Sequence, residues 1–170
     1  RIEHCTIVTP QIVDRIARLG AVPVPFGSYV SYHGDKLLDW YGPERLERMF
    51  ANRWMLDAGI TVAGSSDFPC GPYEPLVALQ SCVTRRSEGG ELLGGSQRIG
   101  PVEALELYTT GAAWSAGQEG VLGRLEPGML ADFVALDADP TDVDPDLLGS
   151  VAVISTWVAG TQVWPSPAQG

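Results

Sequence analysis

A histidine and an aspartate, each at the end of a strand-like run, are the side chains here best suited to chemistry: His4 in Arg1-Ile2-Glu3-His4 and Asp67 in Gly64-Ser65-Ser66-Asp67-Phe68-Pro69. An imidazole and a carboxylate delivered from strand ends to one rim are what metal-assisted hydrolysis uses, because strand C-termini converge there. A bound divalent ion lowers the pKa of its water toward ~7 and polarises a carbonyl, which opens an amide to attack at neutral pH. An adjacent carboxylate completes the cycle by taking the water's proton and returning it to the departing amine. Histidine suits zinc, and a mixed histidine and carboxylate set also admits manganese, iron or nickel. Two donors do not make a site by themselves. Taken alone, His4 also reads as a hydrogen-bonded core histidine, and Asp67 as an N-cap or turn former before Pro69.

The elements that position these residues alternate strand and helix, the pattern of parallel βα units. Thr9-Pro10 predicts an N-cap with Pro at the first helical position; Ile12, Ile16 and Leu19 share a face, and Gly20 closes the helix. Ala21 to Pro25 reads as a short strand. A polar, aromatic loop follows, with Tyr29, Tyr32, His33 and Asp35. Gly42-Pro43-Glu44 then starts a second helix, with Leu46, Met49 and Phe50 on one face, ending near Gly59. Ile60 to Ala63 is a nearly all-apolar buried strand that delivers Asp67. Pro75 opens a third helix through about Val83. The Gly-rich stretch from Gly89 to Gly100 reads as a mobile loop over the site, and Pro101 starts a fourth helix carrying Leu105, Tyr108 and Ala112.

From Val121 the pattern changes to strands alone. Leu125-Glu126-Pro127-Gly128 is a turn signal, Ala131 to Leu136 a strand, and Val151 to Val158 another; Ala159-Gly160 turns the chain into Thr161 to Trp164. These predict a small antiparallel sheet, with Asp137 to Asp146 as a connecting loop. Its carboxylates lack EF-hand spacing and read as a solvated turn. The organisation expected is thus a βα unit over residues 1–118 and a β unit over 119–170.

Among the remaining polar residues, Glu3 points to the opposite strand face from His4 and reads as a salt-bridge former. Cys70 lacks a base partner and reads as a buried, inert thiol. Trp54, Trp114, Trp157 and Trp164 read as packing residues. The glycine pairs at 89–90 and 94–95 lack the lysine and hydroxyl of a phosphate loop.

The chain has 170 residues, 45% of them hydrophobic, enough to bury a core. A complete (β/α)₈ barrel needs roughly 250 residues, and the chain opens mid-element, so it reads as the C-terminal part of a longer enzyme. A formal net charge of -10 argues against nucleic acid or an anionic membrane surface as partner. Three cysteines without CxxC spacing suggest reduced thiols and a cytoplasmic setting. No run approaches a membrane span.

Four motifs in order carry a family resemblance: Arg1-Ile2-Glu3-His4, Gly64-Ser65-Ser66-Asp67-Phe68-Pro69, Tyr108-Thr109-Thr110-Gly111-Ala112-Ala113, and Leu125 to Phe133. Together they resemble the amidohydrolase superfamily, in its amidohydrolase-3 branch of YtcJ-like and N-substituted formamide deformylase-like proteins. The resemblance implies an α/β fold: the C-terminal part of a TIM-like barrel, strands six to eight, plus strands of a small composite β-sandwich. It implies that His4 is a metal ligand ending the sixth strand, and that Asp67, ending the eighth, touches the metal and handles the proton. His33 falls after the seventh strand, where such proteins shape the substrate pocket, so it is a candidate substrate contact as well as a surface histidine. The remaining family ligands, an HxH pair, a carboxylate or carboxylated lysine and a further histidine, have no counterpart here and would lie upstream of Arg1.

The expectation is a hydrolase of a non-peptide carbon–nitrogen bond in a small amide-type substrate. It would use one or two divalent ions, zinc first among them, in the complete protein, with the fragment alone inactive. The alternative is a non-catalytic regulatory or scaffolding module on the same fold. Three barrel strands without neighbours expose edges, so the isolated piece is expected to be homo-oligomeric or poorly ordered near its start.

Overall fold

The local rules at the start of the chain hold. A computed structural model describes residues 1–165 of the chain, and in it Thr9 is extended while its hydroxyl accepts from Ile12 N. Pro10 opens helix α1 (Pro10–Leu19), and Gly20 ends it in the left-handed conformation at φ 60°. Val13 and Ile16 are its buried face.

Before and after α1 lie β1 (Ile2–Glu3) and β2 (Pro23–Val24), paired parallel with Ile2 opposite Pro23 and Glu3 opposite Val24. The apolar run 60–65 lies along the other side of β2: Ala63 N donates to Pro23 O at 3.0 Å and Ser65 N to Pro25 O at 3.0 Å. Regular pairing there is limited to a parallel bridge between Phe26 and Ser65. Three parallel runs therefore sit side by side, with β2 in the middle. The chain is a mixed α/β structure.

The stretch 29–35, expected as a loop, is helical. Helix α2 spans Tyr29–Leu46 with a break at Gly42, whose φ of 71° and ψ of 164° separate a long helix from a short turn opened by Pro43. The missed signal is Gly34. It looks like a breaker, but it lies on the buried face with Val30 and Leu37, and a Cβ there would stand 2.5 Å from Leu93 Cδ1 and 2.8 Å from Ser87 Cβ. Close packing outweighs the helix cost of glycine, about 1 kcal/mol. The second helix expected from Gly42 to Gly59 is in fact interrupted. Leu46, Met49 and Phe50 are buried as expected, but turns intervene before α3 (Asn52–Asp57).

Helix α4 (Pro75–Thr84) follows as expected, and Arg85 caps it in the left-handed region at φ 54°. The Gly-rich stretch after it packs part of its length into the core. Arg86 and Leu92 form an antiparallel bridge, and Leu93, Gln97 and Ile99 are buried. Arg85 is the reason: buried, it donates to the carbonyls of Leu93 at 2.9 Å, Met49 at 3.1 Å and Leu46 at 3.3 Å. Burial pushes its guanidinium down to about 10, which leaves it charged at neutral pH. The loop also docks on α2, with Gly89 N donating to Asp35 Oδ2 at 3.2 Å. The expected fourth helix divides at Thr109 into α5 (Pro101–Tyr108) and α6 (Thr110–Ser115).

The C-terminal strands form the expected antiparallel sheet, β3 (Phe133–Leu136), β4 (Val153–Val158) and β5 (Thr161–Trp164), with β4 central. Ala159 and Gly160, at φ 48° and 75°, make the tight turn that a right-twisted hairpin favours. In the Asp-rich connection the carboxylates serve as local acceptors: Asp139 Oδ1 takes Thr141 N at 2.8 Å and Asp144 Oδ1 takes Asp146 N at 3.0 Å. A 3₁₀ segment, Pro145–Ser150, ties the sheet to α4. Gln80 holds it from both ends, through Asp146 O at 3.1 Å and Gly149 N at 2.7 Å, and Leu148 is fully buried in the core. The last five residues of the expected 119–170 unit lie outside the described residues.

Two apolar clusters result. One joins Val13 and Ile16 to Met55, Leu79, Cys82 and Leu107; the other joins Phe26, Val30, Leu37, Met49, Phe50 and Leu93. Among the described residues no helix is long and apolar enough to cross a membrane.

Candidate metal centre

His4 stands where β1 stops. Its backbone N–H still donates to Val24 O at 3.0 Å, but its φ is 62° and that of Cys5 is 43°. Two successive left-handed residues turn the chain away from the sheet just after the last ladder bond. Non-glycine residues hold such values at a cost of about 1–2 kcal/mol each. The imidazole is braced by Phe26, whose ring meets it edge-on with centroids 5.6 Å apart.

Asp67 is placed the same way. Ser65 makes the bridge to Phe26, and two residues later Asp67 is left-handed at φ 49°. Its carbonyl accepts from Cys70 N at 2.8 Å, closing a tight loop.

The two side chains face each other across the rim. His4 Nε2 lies 3.4 Å from Asp67 Oδ1, with the imidazole 52% and the carboxylate 32% exposed. Two ligands held about 2.0–2.1 Å from a tetrahedral ion lie roughly 3.3 Å apart. The separation, the outward exposure and the neutral-nitrogen and carboxylate donor set therefore fit a zinc-type divalent ion. Among the described residues no group of three or more His, Cys, Asp or Glu is assembled for a metal.

His33 is on α2 and not on a loop. Its Nε2 is 2.9 Å from Cys70 O; a carbonyl only accepts, so Nε2 carries the hydrogen. The ring packs between Tyr29 and Tyr32, centroids 4.6 and 4.7 Å away. His33 therefore grips the loop that carries Asp67 and leaves Nδ1 for other contacts. Beside it, burial raises the Tyr29 phenol above its ordinary value, with Tyr41 and Cys70 adding to the shift.

Other expectations around the site resolve individually. Glu3 pairs with Arg1 at 2.6 Å on the surface. Cys70 is exposed, not buried, because its loop projects beyond the strand ends. The buried, inert thiol is Cys82, pushed up to about 11 mainly by desolvation. Trp157 packs as expected, stacked on Phe133 at 5.5 Å, and Trp54 packs against the core, but Trp114 and Trp164 are exposed. Reading the sequence missed Phe26 as the brace of His4; an aromatic one residue past a strand was its only signal.

The family described as "Amidohydrolase family" matches residues 1–164. A protein from Bacillus subtilis (strain 168) named YtcJ is 30% identical over 167 residues, spanning 96% of this chain and 32% of its own length. An N-substituted formamide deformylase from Arthrobacter pascens is 32% identical over 161 residues, spanning 94% of this chain and 30% of its own. The chain thus spans about a third of the length of these curated relatives. Among solved structures, an uncharacterized metal-dependent hydrolase from Pyrococcus horikoshii OT3 superposes with a TM-score of 0.76 at 26% identity, covering 85% of this chain and 30% of that one.

Proposed function

The chain belongs to the amidohydrolase family, and from that premise we propose that the whole protein is a metal-dependent hydrolase of a non-peptide carbon–nitrogen bond. In this reading His4 is a metal ligand, Asp67 is a ligand and the proton carrier, and His33 contributes to the substrate side. The observation that carries it is the His4 Nε2 to Asp67 Oδ1 separation of 3.4 Å at the ends of parallel runs. Similarity to the Pyrococcus horikoshii metal-dependent hydrolase supports the ion, and similarity to the Arthrobacter pascens N-substituted formamide deformylase supports the bond.

His4 and Asp67 would hold a divalent ion, zinc first among those the donor set admits, and such an ion would supply Lewis-acid polarisation of a carbonyl and of a water molecule. His4 binds through Nε2 as a neutral imidazole, its ring orientation fixed by the Phe26 edge. Asp67 takes the proton released by the attacking water and delivers it to the departing amine nitrogen, a poor leaving group until protonated. His33 holds the Asp67 loop through Cys70 O, which leaves its Nδ1 available to a substrate.

The same reading extends to the architecture. Residues 1–118 are the last three βα units of a TIM-like barrel, the three parallel runs being its strands, and residues 119–170 belong to a β-sandwich. The remaining ligands come from elsewhere in the whole protein, so the 170-residue chain alone is inactive. Three free thiols support a reducing, cytoplasmic setting.

The test is hydrolysis of a series of N-alkylformamides and small amides by the whole protein. We expect turnover that a chelator abolishes, that zinc restores, and that Asp67→Asn loses. A protein that holds no metal and turns over no member of the series is instead a non-catalytic module on this fold.

A further inference from the structure

We propose that Tyr108 is the positioning residue of the His4 and Asp67 pair, a bolt that holds the ends of two parallel runs in register. This rests on the metal-centre reading above. Tyr108 closes α5, yet its hydroxyl reaches the strand ends: Gly27 N donates to Tyr108 Oη at 3.1 Å, and Tyr108 Oη donates to Ser65 O at 3.0 Å. Gly27 N also donates directly to Ser65 O at 3.2 Å. The hydroxyl thus completes a three-cornered hydrogen-bond set. One corner is next to Phe26, the ring that braces His4, and another is two residues before Asp67.

The surrounding sequence makes room for this ring. A Cβ at Gly64 would fall against three ring carbons of Tyr108, and a Cβ at Gly27 would stand 2.6 Å from its hydroxyl. Both glycines have ordinary φ, so neither is needed for a turn; the phenol slot requires Gly64, and at Gly27 the phenol, Cys82 Sγ at 2.9 Å and Ala78 O at 3.1 Å together leave no room for a side chain. Gly64 N further donates to Leu107 O at 2.8 Å, tying the run that leads to Asp67 to the last turn of α5. Desolvation raises the phenol well above its ordinary value, so the hydroxyl stays a neutral donor.

Two positions act on the metal pair through one side chain that touches neither ligand. Groups bonded directly to metal ligands typically change metal affinity about 10–100-fold, and Tyr108, one contact further out, is placed at the lower end of that range. Removing the hydroxyl leaves Gly27 N with Ser65 O as acceptor, so Tyr108→Phe keeps that part-buried donor satisfied while the two runs lose the hydroxyl that bridges them to the end of α5.

The experiment compares the whole protein with Tyr108→Phe, Gly64→Ala, His4→Ala and Asp67→Asn. The zinc dissociation constant is measured by chelator competition, the visible spectrum of the cobalt-substituted form is recorded, and apo-protein unfolding serves as the fold control. The expected result is a roughly 10-fold or greater loss of zinc affinity in Tyr108→Phe, with an altered cobalt spectrum and apo unfolding close to wild type. Gly64→Ala, which displaces the ring while keeping the hydroxyl, is expected to show the same spectral change. Zinc affinity and cobalt spectrum unchanged in Tyr108→Phe, while His4→Ala and Asp67→Asn lose the metal, overturns the positioning role alone. Zinc binding that also survives His4→Ala and Asp67→Asn overturns the metal centre and the inference with it.

Discussion

The Phe26 ring meets the His4 imidazole at 71° with centroids 5.6 Å apart, and a second edge contact, at 5.3 Å, ties the same ring to Phe50. His4 is half-exposed, so its orientation depends on a neighbour that is itself 5% exposed and fixed. In the whole protein, Phe26→Ala is expected to lower stability by about 3–5 kcal/mol, as large-to-small core changes do. Phe26→Leu keeps most of that stability but loses the edge contact. We expect it to weaken zinc roughly 10-fold, within the range for changes around ligands. Denaturant melts and chelator competition on both variants check this.

Arg85 concentrates the other vulnerability. Its guanidinium satisfies carbonyls from the end of α2, from the turn before α3 and from the Gly-rich stretch, with no carboxylate salt bridge among the described residues. Arg85→Ala leaves those carbonyls without their donor, and a loss of about 3–5 kcal/mol is expected. Arg85→Lys recovers only part of it, since a single ammonium cannot reproduce the planar fork. The midpoint of urea unfolding reads both.

Glu103 gives a pH dependence with a definite sign. The Gly100 N–H, at 2.7 Å, holds its carboxyl below the usual value of 4.5, and Arg53 adds to the effect. Because the folded pKa is depressed, the stabilisation is fully present above the unfolded value and is lost as pH falls through the folded one. The stability gap between wild type and Glu103→Gln is therefore expected to be widest near neutrality and to close under acid. A gap that widens on acidification contradicts the assignment.

Apolar surface predicts association of the isolated chain. Val134, Ile154, Val163 and Trp164 of the antiparallel sheet are exposed, and among the described residues β1 is paired on one side only. Edges and faces of this kind seek partners. Size-exclusion chromatography with light scattering is expected to show dimers or larger species, and a stable monomer across the accessible concentration range would count against this.

Much of this was legible in the sequence, for reasons that differ by element. The α1 boundaries followed from Thr9, Pro10 and Gly20, because caps are local chemistry. Asp67 announced itself by following an apolar run and His4 by closing a short strand-like one, and the structure brings them face to face. Helix α2 was illegible because Gly34 and Gly42 look alike in sequence. The first is a packing site against Leu93 and the second a true break, and only tertiary contact distinguishes them. The packing of the Gly-rich stretch was hidden for a similar reason, since its anchor is an arginine whose partners are backbone carbonyls. The roles of Phe26 and Tyr108 depend on which strands lie side by side, which local pattern does not encode.

Under the proposed function, His4 and Asp67 hold one divalent ion together. The most direct measurement is metal content per chain, by elemental analysis, of the whole protein and of its His4→Ala and Asp67→Asn variants purified in parallel. Bound divalent metal is expected in the wild type, lost or sharply reduced in His4→Ala and reduced in Asp67→Asn. Equal metal content in all three, or none in the wild type after zinc loading, would contradict it.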